Sequence, residues 1–80
     1  KPRKAVELIK GSIVSPMSGM VLSIKVKVGD QIKEGSLVAV IEAMKMQNEI
    51  CSPVAGKVLK INVKQNDIVN KEDILIEIEI

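Results

Sequence analysis

Residues 13–30, IVSPMSGMVLSIKVKVGD, and residues 50–67, ICSPVAGKVLKINVKQND, decide the fold, because they are two copies of one segment. A shift of 37 residues lays 13–42 over 50–79 without a gap. Twelve of the thirty aligned positions are identical: Ile13, Ser15, Pro16, Gly19, Val21, Leu22, Ile24, Val26, Lys27, Asp30, Ile41 and Glu42 with their partners. Others are close exchanges, such as Ile32 for Val69. Strand-rich composition could match apolar positions by chance, but it would not also align Ser-Pro, Gly and Asp at one offset. The chain is an internal duplication, and that sets its architecture before local propensity does.

Each copy reads as strands. Leu22, Ile24, Val26 and Val28 alternate with Ser23, Lys25 and Lys27, and Leu59, Ile61 and Val63 alternate with Lys60, Asn62 and Lys64. A period of two with β-branched residues on one face predicts half-buried strands. Breaks fall at Ser15-Pro16 and Ser52-Pro53, at Gly29-Asp30 and Asn66-Asp67, and near Glu34-Gly35 and Glu72-Asp73. Closing strands follow over Ser36–Glu42 and Ile74–Ile80, the second with Ile74, Ile76, Ile78 and Ile80 on one face and Glu77 and Glu79 on the other. That makes about four strands per half and about eight in all. A lone half could not bury its apolar face. The two halves are expected to pack face to face about a pseudo-two-fold axis, giving an all-β flattened barrel or sandwich.

Composition narrows the function. Eighty residues make one domain. The chain has no His, no Phe, Tyr or Trp, and a single Cys. No His-based relay, His-ligated metal, internal disulfide or thiolate zinc site can be built from it, so no catalytic and no metal-binding residues are expected. The core must come from Ile, Val, Leu, Met and Ala, and Cys51 is expected within it as a small apolar residue. The net charge of +2 resides in the first ten residues, where Lys1, Arg3, Lys4 and Lys10 face only Glu7; the other seventy hold eight Lys against nine acids. A body at −1 without aromatic stacking surfaces predicts no nucleic-acid partner. No apolar run approaches the ~18 residues of a membrane span, so no membrane insertion is expected. The chain does not start with Met, and we read it as a domain from a longer polypeptide, with residues 1–11 a leader or linker before a domain over 12–80.

The segment Ala43-Met44-Lys45-Met46-Gln47-Asn48 joins the repeat halves 13–42 and 50–79, and here local rules conflict. Its residues are good helix formers, but a helix over 38–49 would destroy the equivalence of the halves. A hairpin is therefore expected over 43–48, although its centre lacks the Gly, Pro or Asn that suit tight turns. A local rule broken without structural gain tends to mark a functional site. An accessible lysine is a nucleophile; nothing beside Lys45 would activate it, so any acylation needs an external enzyme. The plain alternative makes Lys45 one lysine among eleven and packs Met44 and Met46 on the barrel end.

Glu42-Ala43-Met44-Lys45-Met46 resembles the attachment motif of biotinyl domains, the biotin carboxyl carrier modules of biotin-dependent carboxylases and decarboxylases. The resemblance covers residues 12–80 and includes Ser15-Pro16, Gly29-Asp30, Glu34-Gly35 and Ser52-Pro53 with Gly56. It implies a barrel of two four-stranded antiparallel sheets with the lysine on an exposed hairpin. It also implies covalent biotin on Lys45, attached by a biotin protein ligase that reads Ala43, Met44 and Met46, with Glu42 at the motif's acidic position. The tethered cofactor would then move between a biotin carboxylase and a carboxyltransferase, which fits a chain with no catalytic groups of its own. An acyl-CoA carboxylase or decarboxylase is the expected setting, in the cytoplasm or, for a eukaryotic source, the mitochondrial matrix. Lipoyl domains of 2-oxo acid dehydrogenases share the barrel but typically flank their lysine with Asp and Ala. An unmodified structural barrel, of the kind in membrane-fusion adaptors, would carry a long helical insertion where this chain has a short hairpin. The added thumb-like loop of some carriers has no room within the 37-residue offset.

Overall fold

The structure is a computed structural model and describes residues 10–80. It contains eight strands: β1 (Lys10–Val14), β2 (Gly19–Ile24), β3 (Gln31–Ile32), β4 (Leu37–Ala43), β5 (Met46–Cys51), β6 (Gly56–Ile61), β7 (Ile68–Val69) and β8 (Ile74–Glu79). They form two four-stranded antiparallel sheets, ordered β1-β8-β6-β3 and β5-β4-β2-β7. Pairing begins at Lys10 opposite Glu79, two residues before the domain boundary drawn at residue 12. The rest of the expected leader, residues 1–9, lies outside the described residues.

The duplication is visible in the sheets. Replacing β1, β2, β3 and β4 by β5, β6, β7 and β8, and the reverse, turns one sheet order into the other. The halves are not one sheet each, as face-to-face packing of two units suggested. Each sheet takes two strands from each half. The crossing is fixed by hydrogen bonds at the turns: Val21 N–H donates to Asp67 O at 2.8 Å, and its repeat partner Val58 donates to Asp30 O at 2.9 Å. Gly35 N–H donates to Ser52 O, and Glu72 N–H to Ser15 O, both at 2.7 Å. Every turn of one half thus satisfies backbone groups of the other, as buried polar groups require. Buried Ser15 and Ser52 close their own bends by donating to Met17 O and Val54 O.

The regular alternation read from the sequence is interrupted by bulges at repeat-related places. The β2–β4 register slips at Leu22 and the β6–β8 register at Leu59; the β4–β5 register slips at Val38 and the β1–β8 register at Leu75. At the last two sites two successive residues turn inward, Val38 with Ala39 and Leu75 with Ile76. This corrects the reading of β8. Ile76 and Ile78 are fully buried, but Leu75 takes the inward position expected of Ile74, and both Ile74 and Ile80 are exposed. β2 and β6 also stop earlier than the alternation implied, at Ile24 and Ile61. Beyond them Lys27–Asp30 and Lys64–Asp67 form turns in which the aspartate carboxylate accepts from the lysine N–H at 2.9 Å. Val28 therefore sits at an exposed corner, while Val26 and Val63 still pack against the core.

The core is aliphatic, as the absence of aromatics required: Ile13, Val21, Val38, Ile41, Val58, Leu75, Ile76 and Ile78 are all nearly or wholly buried. Two expectations fail. No Met is among the buried core residues described, and Cys51 is exposed. Strand alternation explains the cysteine: Ile50 points inward, so Cys51 points out, as does its repeat partner Val14 beside inward Ile13.

Candidate functional site

The hairpin between β4 and β5 is tighter than the span 43–48 suggested. Ala43 pairs with Met46, Glu42 with Gln47 and Ile41 with Asn48, so the turn consists of Met44 and Lys45 alone. Both have positive φ, 53° and 64°, the signature of a type I′ turn, whose hand suits the twist of the flanking strands. The turn is thus geometrically normal and chemically unusual, because neither residue is the Gly or Asn that adopts this backbone at low cost. The other positive-φ residues outside glycine, Asn66 and Glu72, lie in the turns at Asp67 and Asp73.

Exposure separates the motif residues. Ala43 is buried and anchors the hairpin. Lys45 is exposed at the tip, Met44 is 93% exposed and Met46 64%. The alternative in which both methionines pack on the barrel end does not hold. Glu42 is exposed and stands in a cross-strand row between Met20 and Gln47.

Two supports of the hairpin were not singled out from the sequence. The Asn48 side-chain amide donates to Met46 O at 3.2 Å and to Ile41 O at 3.4 Å, bracing the first residue after the turn. Its repeat partner is Gly11, and that polar-for-glycine mismatch was the available signal. Gly19 brings β2 so close to β4 that a Cβ there would fall inside contact distance of Glu42 O and 2.9 Å from Ile41 Cγ2. Beside the hairpin an open groove of about 450 Å³ runs between Pro16-Met17 and the Gln47–Ile50 part of β5. No group of three or more potential metal ligands occurs among the described residues.

The arrangement suits an amide-linked prosthetic group. Its attachment point is a primary amine on a stiff two-residue turn, projecting from a barrel that places no acid, base or nucleophile pair beside it. A pseudo-symmetric barrel with one such lysine defines a carrier domain, in which the fold presents a tethered group and supplies no chemistry.

A family model described as "Biotin-requiring enzyme" matches residues 11–78. The chain belongs to this family. It is 43% identical over 76 residues to the mitochondrial propionyl-CoA carboxylase alpha chain of Sus scrofa, covering 95% of this chain and 10% of that one. It is 38% identical over 76 residues to the mitochondrial pyruvate carboxylase of Mus musculus, covering 95% of this chain and 6% of that one. The solved urea carboxylase of Kluyveromyces lactis superposes with a TM-score of 0.83 at 29% identity, over 98% of this chain and 7% of that chain. The chain thus spans a tenth or less of these relatives, all of them carboxylases. It is a biotin carrier domain of the kind found in biotin-dependent carboxylases.

Proposed function

We propose that biotin is amide-linked to Nζ of Lys45 by a biotin protein ligase, and that the domain carries it between a biotin carboxylase and a carboxyltransferase, as part of an acyl-CoA carboxylase or decarboxylase. The observation that carries the reading is the two-residue turn, which sets Lys45 at an exposed tip between two exposed methionines. Met44 and Met46 offer the ligase a soft apolar grip on an otherwise polar tip, and buried Ala43 fixes where that grip begins. Glu42 has its carboxylate on the strand leading to the tip and would assist the ligase without contacting the amine.

Bound there, biotin supplies the carboxyl-carrying chemistry. The chain's own contributions are mechanical. The core and the exchanged turns hold the barrel rigid, the strained turn limits where the lysine can swing, and the tether raises the effective concentration of its cargo at each centre. The acyl-CoA setting is supported by the propionyl-CoA carboxylase chains of Sus scrofa and Homo sapiens, 43% and 40% identical over 76 residues, against 38% for the pyruvate carboxylase of Mus musculus over the same length. No helix of the described residues could cross a membrane, and we place the domain with its carboxylase in the cytoplasm or mitochondrial matrix.

The test is intact mass with peptide mapping after incubation with a biotin protein ligase, ATP and biotin. One biotinyl amide on Lys45 is expected. Modification by a lipoyl ligase instead would replace this reading with a lipoyl carrier, and modification by neither would leave an unmodified barrel.

A further inference from the structure

The geometry points to the outer face of the β5-β4-β2-β7 sheet as the surface on which a biotin carboxylase component docks, through an apolar centre and a lysine- or arginine-rich rim; this rests on biotin being carried at Lys45. The duplication supplies the control. Outer-face positions of the two sheets correspond one to one, so residues that differ between them are not required by the barrel.

On the β1-β8-β6-β3 sheet, Lys57 stands opposite Glu79 and Lys60 opposite Glu77. Gln31 completes the row beside Lys57. This is an ordinary solvated face, with opposite charges interleaved and no net charge. The same positions on the hairpin's sheet hold Met20 opposite Glu42, Ser23 opposite Val40, and Ile68 beside Met20. Both lysines are gone, replaced by Met20 and Ser23. Val40 replaces a glutamate, Ile68 replaces a glutamine and is 74% exposed, and Glu49, opposite Val40, replaces Ser12. The result is an apolar strip with two carboxylates, Glu42 and Glu49, that have no lysine across the strands.

The strip is continuous with the modified hairpin, because β4 and β5 form both. Val40 and Glu49 also line the groove of about 450 Å³ against Pro16-Met17, a recess able to take one anchoring side chain. Any protein that draws Lys45 into its active centre must rest on the surface next to the hairpin. The acidic rim selects a cationic partner. The acceptors named for the relatives range from CoA thioesters to 2-oxo acids and urea, whereas the half-reaction common to them consumes bicarbonate and a nucleoside triphosphate. Both are anions, so the centre that binds them must be cationic.

The experiment uses this chain, its biotin loading first verified by mass. Loading failure would refute the Lys45 reading before docking is examined. The loaded chain is then the substrate for a free-standing biotin carboxylase with MgATP and bicarbonate, and free biotin is run in parallel. The variant Met20→Lys/Val40→Glu/Ile68→Gln gives the hairpin's sheet residues already present on the other sheet, and so keeps the fold, which far-UV circular dichroism checks. Its KM is expected to rise about tenfold with kcat retained, and its KM to respond less to salt than the wild type. The opposite-face variant Lys57→Ala/Lys60→Ala should leave KM unchanged. An unchanged KM in the first variant, an equal rise in the second, or a wild-type chain used no better than free biotin would each overturn the proposal.

Discussion

Met44→Asn tests whether the turn holds strain for the sake of its side chains. A non-glycine L-residue in the left-handed region costs ~1–2 kcal/mol, which Asn largely avoids through its short polar side chain. Met44 has φ 53° and is 93% exposed, so its replacement forfeits almost no burial that could offset the relief. Unlike Gly, Asn adds little entropy to the unfolded chain. The expected net gain is about 1 kcal/mol, which in a domain of 60–100 residues raises Tm by roughly 4–8 °C. The chain has no aromatic reporter, so the assay is scanning calorimetry or far-UV circular dichroism. Biotin transfer by the ligase should fall about tenfold in kcat/KM, equivalent to ~1.4 kcal/mol of lost recognition. Glu72→Asn is the matched control: its φ is 73°, its repeat partner is Gly35 at 88°, and it lies outside the hairpin. It should gain comparable stability and leave biotin transfer unchanged. If Met44→Asn is no more stable than the wild type while Glu72→Asn is, the hairpin is relaxed and its sequence needs a different explanation.

Three further outcomes are expected. Lys45→Arg keeps the charge but removes the primary amine, so ligase-dependent mass gain should vanish while the stability stays within ~0.5 kcal/mol, as for other exposed substitutions. Gly56→Ala places a Cβ inside contact distance of Glu79 O and 2.7 Å from Ile78 Cγ2, forcing β6 from β8 at the core; about 2–3 kcal/mol should be lost, read as a lower urea midpoint. Cys51 is exposed and should take up a maleimide in the native state at a rate unaffected by mild denaturant, and Cys51→Ser should change stability by under ~0.5 kcal/mol.

How much the sequence discloses depends on whether a feature is carried by the repeat or by pairing across it. Identities at Ser15, Gly19, Asp30 and their partners reveal two equivalent halves, and period-two runs reveal strands. The lysine stood out because Met44 and Lys45 contradict the chemistry of the turn they must form. Bulges leave no such trace: Leu75 and Ile74 are both apolar, and only the ladder shows which of them turns inward. Cys51 was misplaced for a related reason, since residue type favoured burial and the alternation beginning at Ile50 opposed it.

The interleaving of the halves was also hidden, because identical halves are compatible with either arrangement. Its physical cause lies in the turns. Each half's Lys-X-X-Asp turn offers backbone groups that its own strands do not satisfy, and the other half's β2 or β6 supplies the partners through Val21, Asn66, Gly29 and Val58. A folded half would leave these groups without their protein partners, so neither copy is a stable unit and the barrel must form whole. That cooperativity is what a carrier needs: a rigid body from which one strained turn projects. It also frees the two outer faces to diverge after duplication, one remaining an ordinary charged surface and the other, beside the hairpin, losing its lysines.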